Sequence, residues 1–260
     1  SGKWYVGGLV GYNTGSITNA YATGDATATT SHVGGLVGYN AGGTITSTYA
    51  TGHISGASIP GGLIGENSGT VINSYWDTTT SGTATGIFSG TLTGATGLTT
   101  AGMMQTWNML GLDFAYTWWL SSGNTRPFLR SEYSTTIVNA HQLQLMALNL
   151  AASYTLGADI NMAELAKSSG MWNTATGFVP VGGYGYFFRG RFDGLGHTIT
   201  DLHINRPLQD YVGLFGVIFS GVSVGNVGLI GGSVTAHDYV GSLVGGIYKG
   251  TVSNAYATGS

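Results

Sequence analysis

The densest group of ionisable side chains that could perform chemistry lies between residues 189 and 203. Asp193 and Asp201 are close in sequence and are surrounded by four basic side chains, namely Arg189, Arg191, His197 and His203. Two carboxylates about 5–10 Å apart can act as acid and base, or acid and nucleophile, in glycoside hydrolysis. Alternatively, Asp193 is a turn residue that hydrogen-bonds its own backbone, and the other side chains form exposed local pairs. The second interpretation is favoured, so no catalytic residue is predicted.

A second candidate is a tryptophan-rich passage that ends in the sequence Arg-Pro-Phe-Leu at 126–129. It contains Trp107, Trp118 and Trp119, whose rings could form a platform for a sugar ligand. The favoured interpretation is a hydrophobic plug packed on the side or end of a solenoid. These tryptophans, together with Asp193 and Asp201, remain the speculative ligand surface.

The remaining residue patterns give no evidence of a metal or cofactor site. Six histidines are scattered without metal-ligand spacing, and no His-Glu-x-x-His sequence occurs. Other acids, including Asp77 and Glu132, occur singly, and there is no cysteine. The Gly-x-Gly runs follow a longer repeat and do not indicate a phosphate loop. We therefore predict no metal and no cofactor.

A repeat in the chain organises the elements that must position these side chains. The sequence Gly-Gly-Leu-Val/Ile-Gly recurs so that Leu9, Leu36 and Leu63 are 27 residues apart. A period of 20–50 residues is typical of a solenoid, and short alternating runs bounded by Gly and Asn predict strands. Stacking successive repeats about 4.8 Å apart buries an apolar face that one repeat cannot bury alone. The predicted fold is all-β, a right-handed parallel β-helix solenoid with short helical and loop excursions.

Equivalent residues of stacked repeats are expected to form side-chain ladders. The leucines predict an interior stack, while Val10, Val37 and Ile64 either point the other way or sit at a corner. Amide and aromatic ladders are predicted at equally spaced asparagines and tyrosines. The three predicted ladders comprise Leu9, Leu36 and Leu63; Asn13, Asn40 and Asn67; and Tyr21, Tyr49 and Tyr75.

The same motif returns at 211–216 and 239–259. Gly-Leu-Val-Gly, followed by Asn-x-Gly-x-Ile/Val and Tyr-Ala-Thr-Gly, resembles the GLUG repeat of filamentous-haemagglutinin-like secreted bacterial adhesins. The resemblance covers about residues 5–80 and 190–260. It implies a non-enzymatic structural or adhesive segment of a long extracellular, cell-surface fibre, whose partner is a glycan or protein receptor on a host cell or surface. The alternative is a carbohydrate-binding or carbohydrate-active β-helix module.

These patterns divide the chain into four segments. We predict GLUG-type coils at 1–80, a Trp-rich excursion or plug at 81–135, a helix and an entry strand with an excursion at 136–186, and further coils at 187–260. The helix is predicted around 137–148 with Asn139 as its cap. A short helix is also expected around residues 163–167.

Net charge, the length of the apolar stretches and the chain ends indicate which kinds of partner to expect for this chain. Charged residues make up 7% of the chain, as expected if like charges would face each other in stacked coils. A net charge of -3 without a basic cluster argues against nucleic acid. The longest apolar stretch, 143–152, is too short to span a membrane. Because the chain begins just before one good repeat and stops at the end of another, without atypical capping units, we expect continuation into further repeats, or self-association, at both ends.

Overall fold

The computed structural model describes residues 1–56 and 59–260. Short parallel strands dominate, and most pair with a strand one repeat away rather than with their neighbour in sequence. The chain divides into two compact units, one formed by residues 1–129 and 168–171 and the other by residues 130–167 and 172–260. This pairing defines a parallel β-solenoid in each unit, which confirms the predicted all-β solenoid class.

In the first unit, strands of two to four residues recur in the same order in successive coils. They are β1 (Val6–Gly7), β2 (Val10–Asn13), β3 (Ser16–Thr18), β4 (Tyr21–Ala22), β5 (Ala26–Thr27), β6 (His32–Gly34), β7 (Val37–Asn40), β8 (Thr44–Thr46), β9 (Tyr49–Ala50), β10 (Ile54–Ser55), β11 (Ile59–Gly61), β12 (Ile64–Asn67), β13 (Thr70–Ile72), β14 (Ser74–Asp77), β15 (Ile87–Gly90) and β16 (Ala95–Leu98). The sheet orders β15-β12-β7-β2 and β16-β14-β9-β4 show that each strand pairs with its counterparts in the adjacent coils.

The interior of the first unit is filled from two consecutive positions of each repeat. Leu36 and Val37 are both completely buried, as are Leu63 and Ile64 in the next coil. The chain turns a corner there, because the backbone N–H groups of two consecutive residues, such as Leu36 and Val37, donate to the same carbonyl, that of Leu63 (2.8 and 3.1 Å). The corner interpretation of the valine positions is therefore right, and the opposite-face interpretation is wrong.

Leu9 departs from the predicted interior leucine stack. Its backbone N–H donates to the carbonyl of Leu36 (3.0 Å), so it keeps the register of the ladder. Its side chain is nevertheless 48% exposed, whereas Leu36 and Leu63 are completely buried. Leu9 belongs to β2's coil, which is paired on one side only. A solenoid position becomes buried only when coils cover it on both sides.

The first block of coils extends beyond the boundary predicted at residue 80. β15 pairs in parallel with β12, and β16 pairs with β14, so residues 87–98 add a further, shorter coil. This coil lacks the Gly-Gly-Leu motif, which is why the sequence repeat did not reveal it. A segment without coils follows, with helix α1 (Thr100–Met103), a 3-10 helix (Thr106–Asn108), and the antiparallel strands β17 (Trp118–Trp119) and β18 (Phe128–Leu129).

Neighbouring coils approach closely at Gly35, so a side chain introduced there is expected to destabilise the first unit. A β-carbon there would lie 2.2 Å from the carbonyl oxygen of Gly62 and 2.8 Å from the β-carbon of Ala50. We expect Gly35→Ala to lower the free energy of unfolding of the first unit by roughly 1–3 kcal/mol, because packed coils must separate. Gly24→Ala is the matched control, since a β-carbon at Gly24 meets nothing within 4 Å. Urea unfolding of both variants measures the difference, and equal midpoints would contradict close packing at Gly35.

The second unit contains the remaining strands and helices. They are a 3-10 helix (Arg130–Glu132), β19 (Thr136–Ile137), α2 (Ala140–Leu145), a 3-10 helix (Met146–Leu148), β20 (Tyr154–Leu156), β21 (Ile160–Asn161), a 3-10 helix (Ala163–Ala166), β22 (Phe192–Asp193), β23 (Thr198–Thr200), β24 (His203–Arg206), β25 (Phe215–Ile218), β26 (Ser223–Ile230), β27 (Ser233–Ala236), β28 (Val244–Ile247) and β29 (Thr251–Ala257). The long strand β26 pairs in parallel with β22 and β23 on one side and with β29 on the other.

The predicted helix near residue 140 begins at the expected cap. The Asn139 side chain accepts a hydrogen bond from the backbone N–H of Gln142 (2.9 Å), which satisfies one of the first donors of α2. The helix is shorter than the sequence pattern suggested, and it continues as a single 3-10 turn. Among the described residues, no helix combines the length and apolar character needed to cross a membrane.

Candidate functional sites

The three asparagines of the predicted amide ladder are joined by hydrogen bonds along the coil-stacking direction. Asn13 Nδ2 donates to Asn40 Oδ1 (2.8 Å), and Asn40 Nδ2 donates to Asn67 Oδ1 (2.7 Å). Asn67 Nδ2 continues the row to the carbonyl of Thr91 (2.9 Å). All three side chains are buried, and Asn40 has no exposed area. A neutral amide suits this position because it can donate to one neighbour and accept from the other.

In the predicted tyrosine ladder, two of the rings stack, and two of the hydroxyls hydrogen-bond to backbone carbonyls of the Trp-rich passage. The rings of Tyr21 and Tyr49 stack with centroids 5.1 Å apart and planes at 7°. Tyr75 lies opposite Tyr49 in the strand register. The Tyr49 hydroxyl donates to the carbonyl of Pro127 (2.6 Å), and the Tyr75 hydroxyl donates to that of Leu110. These tyrosines therefore hold the Trp-rich passage to the coils of the first unit.

The tryptophans of the speculative ligand surface lie in different environments. Trp118 is completely buried and packs on Tyr49, with centroids 5.7 Å apart, so its ring cannot contact a ligand. Trp119 is half-buried beside Phe128. Trp107 is 65% exposed. The burial of Trp118 removes it from the speculative surface, because its ring completes the packing of the tyrosine stack instead.

A completely buried ion pair in the first unit was missed from the sequence, where Asp77 looked isolated. Arg126 Nη2 lies 2.5 Å from Asp77 Oδ2, and neither side chain is exposed. The carboxylate also accepts hydrogen bonds from the backbone of Thr79 (2.9 Å) and the hydroxyl of Thr100 (2.8 Å). The guanidinium donates to the carbonyls of residues 168 and 170. The one sequence signal was the Arg-Pro-Phe-Leu motif, whose arginine proves to be the buried cation.

Asp193 has the hydrogen bonds of a structural turn residue. Its Oδ1 accepts from the backbone N–H of Leu195 (3.0 Å) and from Asn226 Nδ2 (2.9 Å), and its Oδ2 faces Arg191 (2.7 Å). The bond from Asn226, the bond from Leu195 and the charge of Arg191 hold the pKa of Asp193 below its usual value. A general acid of a glycosidase needs a raised pKa, so this environment opposes that role.

Asp201 lies at a separate position in the second unit. Asp193 is opposite Gly225 of β26, whereas Thr200, the residue before Asp201, is opposite Ile230 at the far end of that strand. Asn226, whose φ is +53°, bends β26 between these two positions, so Asp193 and Asp201 belong to different segments of the coil. Asp201 and His203 instead border a shallow pocket of about 500 Å³ whose other lining residues are Met162, Ala163, Leu165, Ala166 and Thr174.

An ionic cluster in the second unit centres on His141, a residue that the sequence analysis did not single out. Its Nδ1 lies 2.7 Å from Glu132 and its Nε2 lies 3.0 Å from Glu164. Burial by itself lowers the pKa of His141, but hydrogen bonds and charge interactions with the two glutamates outweigh it and raise the pKa to about 9. The imidazolium therefore joins helix α2 to the 3-10 helices Arg130–Glu132 and Ala163–Ala166.

This cluster predicts a pH-dependent stability. Because the folded pKa of His141 lies above the unfolded value near 6.5, its contribution is complete below pH 6.5 and is lost as the pH rises through about 9. The loss amounts to at most about 3 kcal/mol. We expect urea unfolding at pH 6 and pH 9.5 to show this loss in the wild type and a smaller one in His141→Gln.

The control is His53→Gln, at an exposed histidine of the first unit. This variant should keep the full pH dependence of the wild type. An unchanged pH dependence in His141→Gln would show that the glutamate–histidine cluster contributes nothing.

Comparison with known proteins supports the repeat. Residues 2–27 and 29–55 match the GLUG motif. The chain is 41% identical over 111 residues to Halomucin of Haloquadratum walsbyi. The aligned region covers 42% of this chain and 1% of that protein. It is 40% identical over 81 residues to a putative Gly-rich membrane protein of Evansella cellulosilytica, covering 30% of this chain and 9% of that protein. The chain thus spans only a small part of these relatives, and no solved structure matches it.

Proposed function

We propose that this chain is a non-enzymatic structural segment of a long, repetitive, extracellular surface protein. The observation that carries the proposal is the continuous stacking of coils in the first unit, with the buried Asn13, Asn40 and Asn67 amides bonded in a row. Such a stack transmits load through parallel backbone ladders and side-chain ladders in one direction. The GLUG matches and the large surface-type relatives, named Halomucin and a membrane protein, support the same role.

The proposal includes an adhesive role for the surface fibre, with a glycan or protein receptor as partner and further coils at either end. Low charge supports the stacking of further coils, since stacked coils avoid opposed like charges.

Localisation tests the proposal directly. Antibodies raised against this chain, used with immunogold labelling on intact cells of the source organism, should label extended material outside the cell. The same antibodies on permeabilised cells provide the control for internal protein. Labelling confined to the cell interior would overturn the surface role. For adhesion, beads coated with the chain should attach to surfaces that cells expressing the full protein colonise, and beads coated with heat-unfolded chain should not.

A further inference from the structure

Three tyrosines of the second unit stack their rings along the direction in which the coils stack. The ring centroids of Tyr184 and Tyr211 are 5.4 Å apart with the planes at 20°, and those of Tyr211 and Tyr239 are 4.4 Å apart at 8°. The residues that follow the closer pair, Val212 and Val240, form a parallel bridge. The backbone ladder therefore holds Tyr211 and Tyr239 face to face in successive coils.

The closer pair is open to reagents in solution and keeps its phenolic protons at neutral pH. Tyr239 is 59% exposed and Tyr211 is half-buried. A hydrogen bond with the Tyr248 side chain, with a smaller contribution from desolvation, raises the pKa of Tyr211 to about 12. Tyr211 is therefore a neutral phenol at pH 7, and the loss of an electron from it also releases a proton.

Face-to-face stacking is the geometry from which two oxidised phenols couple. A tyrosine that loses one electron and one proton becomes a phenoxyl radical, whose unpaired electron is shared with the ring carbons ortho to the oxygen. The orbital that holds this electron is perpendicular to the ring plane, so a bond between two ortho carbons forms along the ring normal. Nearly parallel rings in contact are already aligned for this bond, which makes the coupling effectively unimolecular.

The coupling is balanced when a peroxide acts as the oxidant. Two phenols give up two electrons and two protons, and one carbon–carbon bond forms between their ortho carbons. The hydrogens of these two carbons are replaced by the new bond, each phenol oxygen regains a proton, and both rings become aromatic again. Hydrogen peroxide, acting through a haem peroxidase, takes up the two electrons and two protons and is reduced to two water molecules.

Three tyrosine pairs of the first unit are less suited to this reaction. Tyr21 and Tyr49 stack 5.1 Å apart at 7°, but Tyr49 is completely buried. The rings of Tyr5 and Tyr39 are 5.3 Å apart and tilted by 30°, and those of Tyr12 and Tyr39 meet edge to face at 77°. None of these three pairs combines parallel rings, close contact and access to solvent, as the pair in the second unit does.

The corresponding corner of the first unit shows that the fold does not need two tyrosines at this position. Val6 and Val33 are paired in the strand register, and the residues that precede them are Tyr5 and His32. The rings of Tyr5 and His32 stack 5.3 Å apart at 27°. A tyrosine on a histidine thus fills the same corner, and this pair cannot form a bond between two phenol rings.

We propose that Tyr211 and Tyr239 are a modification site, at which one-electron oxidation of each ring by a haem peroxidase and peroxide couples them into dityrosine. The new bond would join two successive coils covalently in a chain that has no cysteine for a disulfide. The backbone register supplies the alignment, and the exposure of Tyr239 supplies the access. The proposal does not depend on the structural role proposed above.

Treatment of the full chain with a haem peroxidase and a limiting amount of hydrogen peroxide tests the proposal. We expect dityrosine fluorescence and, after digestion, a cross-linked peptide pair that contains Tyr211 and Tyr239 and has lost the mass of two hydrogen atoms. The yield per chain should not change when the protein is diluted about tenfold, because the coupling is intramolecular. Tyr239→Phe keeps a stacked ring but has no phenolic hydrogen to lose, so it should lower the yield by about tenfold or more.

Tyr12→Phe is the matched control, because Tyr12 is a 56% exposed tyrosine of the first unit that also contacts another tyrosine ring. It should give the wild-type yield, and circular dichroism should show that both variants remain folded. The proposal is overturned if no dityrosine forms, if most cross-links join other tyrosines, if the yield falls in proportion to dilution, or if Tyr239→Phe cross-links undiminished. The same peptide pair should occur in protein isolated from the source cells, and finding only unmodified Tyr211 and Tyr239 there would also overturn it.

Discussion

Replacing Asp77 with alanine is expected to destabilise the first unit by about 3–5 kcal/mol. The substitution leaves the guanidinium of Arg126 buried without its carboxylate partner, and both side chains are completely buried. A buried charge cannot recover its hydration, so removing one partner costs far more than the pair contributed. The same substitution removes the acceptor for the backbone N–H of Thr79 and for the hydroxyl of Thr100.

Urea unfolding followed by circular dichroism, with hydrogen exchange of peptides from residues 1–129 to assign the transition, measures this effect. The matched control is Arg191→Ala, which breaks an ion pair with Asp193 whose arginine is 62% exposed. We expect a loss of at most about 1 kcal/mol in the control, because water and salt screen an exposed pair. Replacing both partners, as Asp77→Leu with Arg126→Met, should recover part of the loss. Equal midpoints for Asp77→Ala and Arg191→Ala would show that burial of the pair has no energetic consequence.

Asn40→Asp is expected to cost at least about 3 kcal/mol at pH 7 although the side chain hardly changes shape. The amide of Asn40 donates to Asn67 Oδ1 (2.7 Å) and to the carbonyl of Gly43 (3.0 Å). An ionised carboxylate has no hydrogen to donate, so three acceptor oxygens would face one another in a buried site. The proposed structural role relies on this row, because it joins one coil to the next.

The pH dependence separates charge from packing in this variant. The surrounding acceptors should raise the folded pKa of the new carboxyl above its unfolded value near 4. The penalty should therefore be complete above the folded pKa and should shrink as the pH falls through it, because the protonated acid can donate one hydrogen bond. Asn161→Asp is the control, since Asn161 is exposed and its Oδ1 only accepts from the backbone of Ala163 (2.7 Å). If Asn40→Asp and its control unfold at the same urea concentration, the amide ladder contributes nothing to coil stacking.

The parts of the structure that repeat could be predicted from the sequence, and the parts that do not repeat could not. The 27-residue spacing gave the solenoid class and the register that places Asn13, Asn40 and Asn67 in one row. The coil at 87–98 was missed because it lacks the motif, although its strands still pair with β12 and β14. The exposed Leu9 was missed because a repeat pattern does not say which coil is covered on both sides.

The sequence by itself determined the contacts between neighbouring coils, because in a solenoid each repeat contacts only its neighbours and equivalent residues face one another. Only the tertiary structure decided how the excursions pack. It brought Asp77 to Arg126, placed His141 between two glutamates, and buried Trp118 against Tyr49. It also placed Asp193 and Asp201 at separate positions along β26. Contacts between segments far apart in sequence depend on the path of a particular loop, which has no period and leaves no local pattern to read.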